Sequence, residues 1–127
     1  MRQAVSTDSA PAALGPYSQA IIANGFVFCS GTAGIDPATG AVAEGIEAQA
    51  EQALRNLDAI LAAAGASLAT LVKTTIFYQN VVDFAAINAV YARYMPEPPP
   101  ARSAPANVNL PRGLLISIDA IAVLPAA

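Results

Sequence analysis

Two stretches of the chain place apolar residues at helical spacing, and five others carry the β-branched and aromatic runs of strands. In the first helical stretch, 45–64, Ile46, Ala50, Ala53, Leu54, Leu57, Ile60, Leu61 and Ala64 fall on one face. Glu47, Glu51, Arg55 and Asp58 fall on the other, and Gly65 is a natural stop. The second, 83–94, opens on Asp83 as a cap and carries Phe84, Ile87, Val90, Tyr91 and Tyr94 as its stripe. Strands are expected over 18–23, 26–30, 71–78, 102–107 and 114–123. Asn24-Gly25 joins the first two as a tight hairpin, and Asp36-Pro37-Ala38-Thr39-Gly40 reads as a turn or short hairpin. Pro96 and Pro98-Pro99-Pro100 form a stiff extended approach to the strand at Arg102, and Leu110-Pro111-Arg112-Gly113 turns the chain into the last strand. The order strand, strand, helix, strand, helix, strand, strand implies an α+β, two-layer domain with two helices on one face of a mixed sheet. The other face needs a cover, and a partner subunit is the simplest one.

Composition sharpens that expectation. With 127 residues the chain reads as one domain, 1–127. Charged residues are 12% and apolar residues 55%, against typical values of about 25% and 45–50%. The surplus apolar surface points to a subunit interface, although an alanine-rich helix would also inflate the count. Net charge is −3 and the six Lys and Arg are scattered, which argues against nucleic acid as a partner. No run approaches ~18 uninterrupted apolar residues, so no membrane span is expected, and the amino-terminal stretch lacks the apolar core of a signal peptide. The expected location is cytoplasmic.

The residue inventory restricts the chemistry. There is no His, so Ser-His and Cys-His nucleophilic devices are excluded along with imidazole metal sites. The single Cys29 forbids an intrachain disulfide and reads as a small buried hydrophobe. Catalysis must therefore run on carboxylates, Arg, hydroxyls, backbone groups and water.

Arg102 opens an otherwise uncharged strand. A guanidinium presents two parallel N–H groups to two carboxylate oxygens; alternatively, Arg102 pairs with an acidic neighbour or is simply solvated. Asp119 interrupts the apolar run 114–123, and strand alternation puts it on one face with Ser117, Ile121 and Val123. It faces a polar cavity, an Arg or solvent, and beside an Arg and a water it is a competent general acid or base. Tyr17 follows a Gly-Pro turn and reads as packing, Ser30-Gly31 as a strand end where a bare N–H can approach an anion, and Asn88 as a helix amide needing partners.

Several strings then coincide in order and spacing with one family. Ser9 to Ala20 through Gly15-Pro16-Tyr17, Cys29-Ser30-Gly31, Val72 to Phe77, Asp83 to Tyr91, Pro100-Ala101-Arg102-Ser103-Ala104 and Ile118-Asp119-Ala120-Ile121-Ala122-Val123 resemble the RidA/YjgF family over essentially the whole chain. The resemblance implies a chorismate-mutase-like fold and a homotrimer with clefts between subunits. It implies cofactor-free hydrolysis of enamine and imine intermediates such as 2-aminoacrylate and 2-aminocrotonate to 2-keto acids and ammonia. It assigns Arg102 to the substrate carboxylate, and it assigns Tyr17, Ser30, Gly31, Asn88 and the backbone at Ala104 to the cleft wall. The position of Asp119 normally carries a Glu that orders the attacking water, so this chain is one methylene short there; Ala104 replaces a frequent Cys. Two alternatives stand beside this activity: a related enzyme for another small carboxylate (an aminomuconate-type deaminase or pathway-specific hydrolase), and a non-enzymatic holdase-like or translation-inhibitor protein.

Overall fold

The computed structural model describes residues 1–126. Its strands are β1 (Gln3–Val5), β2 (Ala20–Ala23), β3 (Phe26–Ala33), β4 (Leu71–Tyr78), β5 (Ala101–Ser103) and β6 (Ile116–Val123), with helices α1 (Ile46–Ala63) and α2 (Phe84–Ala92). They form one six-stranded sheet in the order β1-β2-β3-β6-β4-β5. All neighbours are antiparallel except β4 and β5, which run parallel, so the sheet is mixed and the fold is α+β as expected.

Alternation decides which side of the sheet is covered. Ile116, Ile118, Ala120 and Ala122 of β6, Val27 and Cys29 of β3, and Ile76 and Tyr78 of β4 are buried beneath the helices. Helix α1 meets them with Ala50, Ala53, Leu54, Leu57, Ile60 and Leu61, the stripe its spacing predicts. Each fully buried Leu or Ile removes apolar area worth about 1.5–3 kcal/mol from water. Gln49 and Asn56 share that buried face, which the apolar pattern did not foretell. The Gln49 side chain accepts from Leu115 N–H at 2.8 Å, and Asn56 donates to the carbonyls of Ala33 and Ile35 at 2.9 and 2.8 Å. They tie α1 to the chain leaving β3 and entering β6. Among the described residues the other sheet face carries no helix: Phe26, Phe28 and Val123 are exposed there.

The Asn24-Gly25 hairpin forms as expected, with both residues at positive φ (52° and 79°), the conformation a two-residue turn of this twist requires. The Asp36–Gly40 turn also forms, closed by an isolated Ile35–Val42 bridge.

Other boundaries move. The expected strand 102–107 stops at Ser103, because Pro105 has no N–H to donate and Asn107 sits at φ 63°. The expected strand 26–30 runs on to Ala33, so Ser30-Gly31 is not a strand end; it is a bulge inside β3. Asp83 makes no side-chain cap bond; it closes a short 3-10 turn (Val81–Asp83) that leads into α2. The strands expected over 18–23 and 114–123 begin at Ala20 and Ile116, and β1 was not foreseen.

Candidate active site

Arg102 pairs with Thr74 across the parallel β4–β5 junction, on the helix side of the sheet. The turn of α2 places Phe84, Asn88 and Tyr91 on one face, spaced four and three residues apart. That face holds the guanidinium. Its carbon lies 5.1 Å from the centre of the Tyr91 ring and 5.6 Å from that of Phe84, within cation–π range. Its Nη1 donates to Asn88 Oδ1 at 2.7 Å. Behind this group, the Tyr91 and Thr74 hydroxyls share a buried hydrogen bond of 2.7 Å, and Phe84 stacks on Tyr78 at 6.1 Å. Among the described residues no carboxylate comes within ion-pair distance of Arg102, whose side chain remains exposed. Among the described residues Arg102 is thus exposed and not ion-paired, and it is held by Asn88 and two aromatic rings.

Asp119 occupies the opposite face. Thr74 pairs with Ala120 and Arg102, whereas Thr75 pairs with Asp119 and Ser103, so one residue of register separates the two faces. Opposite Asp119 on the other flank, β3 fits Ser30 and Gly31 into the space of one residue, since Cys29 pairs with Ala120 and Thr32 with Ile118. A bulge of this kind bends the strand and re-aims its groups. The Ser30 hydroxyl donates to Ser18 O at 2.6 Å. At Gly31 a Cβ would lie 2.9 Å from Ser117 Oγ, so a side chain there would crowd the site. Asp119 is half-buried and accepts no hydrogen bond from the described residues.

A pocket of about 520 Å³ opens beside this bulge, lined by Tyr17, Ser30, Gly31, Arg112, Leu114 and Ser117 among others. Tyr17 is 51% exposed at its wall, with its hydroxyl accepting from Leu14 N–H at 3.3 Å, so it is not the packing residue its position allowed. Gln19 clasps the segment carrying Tyr17: its side chain accepts from Thr7 N–H at 2.7 Å and donates to Thr7 O and Pro11 O at 3.1 and 2.8 Å. Cys29 is buried as expected. Its thiol is pushed up to about 12, first by burial and then by the negative charge of Asp119, which leaves it protonated and inert at neutral pH.

The structure thus assembles two groups from the sequence-derived residues. Arg102 and Asn88 touch, with the Ala104 backbone two residues further on; Tyr17, Ser30 and Gly31 share a pocket, with Asp119 beside the bulge. It does not bring Arg102 and Asp119 to the same side of the sheet within one chain. Sequence reasoning registered Phe84 and Tyr91 only as apolar stripe, and it gave no role to Thr74, Ser117 or Gln19.

The model for the family described as Endoribonuclease L-PSP matches residues 7–124. The chain belongs to this family. Membership in the RidA/YjgF group, expected from the motifs, is shown with it. Reactive Intermediate Deaminase A, chloroplastic, from Arabidopsis thaliana is 50% identical over 124 residues, covering 97% of this chain and 66% of that longer protein. The 2-iminobutanoate/2-iminopropanoate deaminase of Salmonella typhimurium is 44% identical over 126 residues, covering 97% of this chain and 98% of its own. Among solved structures, E. coli TdcF with bound serine superposes with a TM-score of 0.91 at 35% identity, covering 97% of this chain and 99% of that one. This chain and TdcF therefore share one fold.

Proposed function

We propose that the protein hydrolyses imines and enamines of small 2-amino acids, of the 2-aminoacrylate and 2-aminocrotonate type, to 2-oxo acids and ammonia. The observation that carries this reading is the state of Arg102: an exposed guanidinium, braced on its face and one edge, with no carboxylate of its own. A planar fork held ready and unpaired matches a substrate carboxylate. The names of the plant and Salmonella relatives and the serine bound to TdcF support a small 2-amino or 2-imino acid as ligand.

In this reading Arg102 holds the carboxylate and so presents the C=N carbon to water. Asp119 orients that water and takes its proton as the oxygen adds to carbon. Asp119 hands that proton to the nitrogen, which gives the neutral carbinolamine. Its hydroxyl proton then passes to the departing nitrogen, so that ammonia leaves and the 2-oxo acid remains. An enamine enters this course once it has gained a proton at its β-carbon and lost one from nitrogen to become the imine. Tyr17, Ser30, Gly31, Asn88 and the Ala104 backbone line the cleft. In this reading the working cleft lies between copies of one 1–127 domain in a homotrimer; the sheet standing between Arg102 and Asp119 in a single chain supports a cleft shared between copies. Arg102, Asn88 and Ala104 come from one copy, and Tyr17, Ser30, Gly31 and Asp119 from its neighbour. The exposed Phe26, Phe28 and Val123 supply apolar surface for that contact.

The reaction uses no cofactor and belongs to the cytoplasm; no helix among the described residues is long and apolar enough to cross a membrane. Nucleic acid is not the substrate despite the family's description, because six scattered cations against nine acids give no track for phosphates. A second reading, a deaminase re-targeted to another small carboxylate, is favoured by the shortened carboxylate at 119. Release of ammonia and pyruvate from 2-aminoacrylate generated in situ tests the proposal: clear acceleration over buffer is expected, and no acceleration would overturn it.

A further inference from the structure

We infer that Tyr91, tethered through its hydroxyl to Thr74, is a positioning residue that fixes the orientation of the Arg102 guanidinium. The inference rests on the reading of Arg102 as the carboxylate anchor. An exposed arginine ordinarily keeps its rotamer freedom and must give it up when a ligand binds. Here two restraints act on different parts of the same group. Asn88 holds one edge through Nη1 at 2.7 Å, and the Tyr91 ring holds the face at 5.1 Å.

Tyr91 is itself held in register with the residue it supports. Its hydroxyl bonds Thr74 at 2.7 Å, and Thr74 is the β4 partner of Arg102 across the sheet. The links Thr74 to Tyr91, Tyr91 to Arg102 and Arg102 back to Thr74 close a ring joining α2, β5 and β4. Space filling alone does not account for this pair. Thr74 is fully buried and Tyr91 is 7% exposed, so both hydroxyls lose water on folding, where Phe and Val would fill the same volume without that cost. Phe84, whose ring centre lies 5.6 Å from the guanidinium carbon, is 39% exposed and has no hydroxyl to be tethered.

Two measurements on the full-length protein test this. Side-chain relaxation of the Arg102 Nε–H group by NMR reads its order directly, whatever the reaction. Steady-state kinetics on 2-aminoacrylate read its effect. In Tyr91→Leu, Arg102 should become disordered and KM should rise about three- to thirtyfold, the range of a cation–π contact, with kcat within about twofold. The double variant Thr74→Val, Tyr91→Phe removes the tether without stranding either hydroxyl; it keeps the ring and should give a smaller rise in KM. In an Arg102→Ala background, Tyr91→Leu should change KM no further. An Arg102 that stays ordered in Tyr91→Leu, or that loses order with KM unmoved, overturns the inference. A Tyr91→Leu protein that merely melts earlier, with KM and Arg102 order unchanged below its transition, assigns Tyr91 to packing and overturns it as well. A wild-type protein inert toward imines would instead sink the proposed function, and the relaxation data would still judge the brace on Arg102.

Discussion

The two faces of the sheet solve the problem of a functional polar group in different ways. On the helix side, Arg102 is supported within its own chain by Asn88, Tyr91 and Phe84, and Thr74 supports the support. On the open side, Asp119 has the bulge of Ser30 and Gly31 on one flank and Thr75 on the other, yet no described residue donates to it, and the aromatic rings nearby are bare. On the first face the polar group is braced entirely by its own chain. The second has its backbone bulge in place and a half-buried carboxylate that takes no hydrogen bond from the described residues. α1 and the core residues of the covered face carry stability, while the two candidate polar groups, Arg102 and Asp119, lie on opposite faces of the same sheet.

The largest effect expected separates those roles. Leu57→Ala, on the covered face and fully buried, should lower unfolding free energy by about 2–5 kcal/mol in a denaturant titration. Phe28→Ser on the open face should cost the isolated fold far less and should act on the oligomer instead, read by sedimentation. Comparable losses of subunit stability from both would erase the distinction between the faces.

Next comes Arg102→Ala. Losing a charge-assisted fork should reduce kcat/KM about 30- to 1000-fold, equivalent to about 2–4 kcal/mol of transition-state binding, with thermal stability little changed because the side chain is exposed. Arg102→Lys keeps the charge and loses the fork, so it should fail too. A folded Arg102→Ala enzyme with normal turnover would end its role as anchor.

At Asp119 two substitutions pull in opposite directions. Asp119→Asn leaves an amide that cannot take a proton and should slow hydrolysis of the true substrate. Asp119→Glu moves the carboxylate forward by about one carbon–carbon bond, ~1.5 Å, and should raise turnover of small 2-imino acids. If kinetics show no change in Asp119→Asn, the residue is structural and water is placed by other groups.

The covered face shaped much of what the sequence revealed, because burial on one side imprints a period. The α1 stripe, the alternation of β6 and the Asn24-Gly25 turn were all legible for that reason, and Arg102 and Asp119 stood out as charges in uncharged strands. What escaped notice were polar residues whose partners lie far along the chain. Asn56 binds carbonyls 21 and 23 residues away and Thr74 binds Tyr91, so no local pattern announces them. The bulge at Ser30-Gly31 was misread as a strand end, since a Gly after Ser gives the same local signal for either. That Arg102 and Asp119 lie on opposite faces follows only from the register of β4 with both neighbours, which composition does not encode.

An effect confined to alkaline pH probes the boundary between the faces. The Cys29 thiol is raised from 9.0 to about 12, mainly by burial. An acid whose folded pKa is raised stays protonated in the native state while the unfolded chain ionises, so its contribution to stability is complete below about pH 9 and lost as pH climbs toward 12. Cys29→Ala should flatten the fall in stability over that window, seen as a smaller drop in Tm between neutral and alkaline pH. An unaltered slope would mean the thiol ionises freely.

The central claim, that Arg102 of one copy works with Asp119 of another, is tested most directly by mixing two impaired proteins. Arg102→Ala and Asp119→Asn subunits are unfolded together, refolded and assayed for 2-aminoacrylate hydrolysis. Random mixing at equal amounts in a symmetric oligomer gives about a quarter of the clefts a native residue at both positions, so the mixture should reach about a quarter of wild-type activity, well above either parent. If mass analysis shows mixed oligomers and activity stays at the level of the parents, the two residues do not share a cleft between copies and the account is wrong.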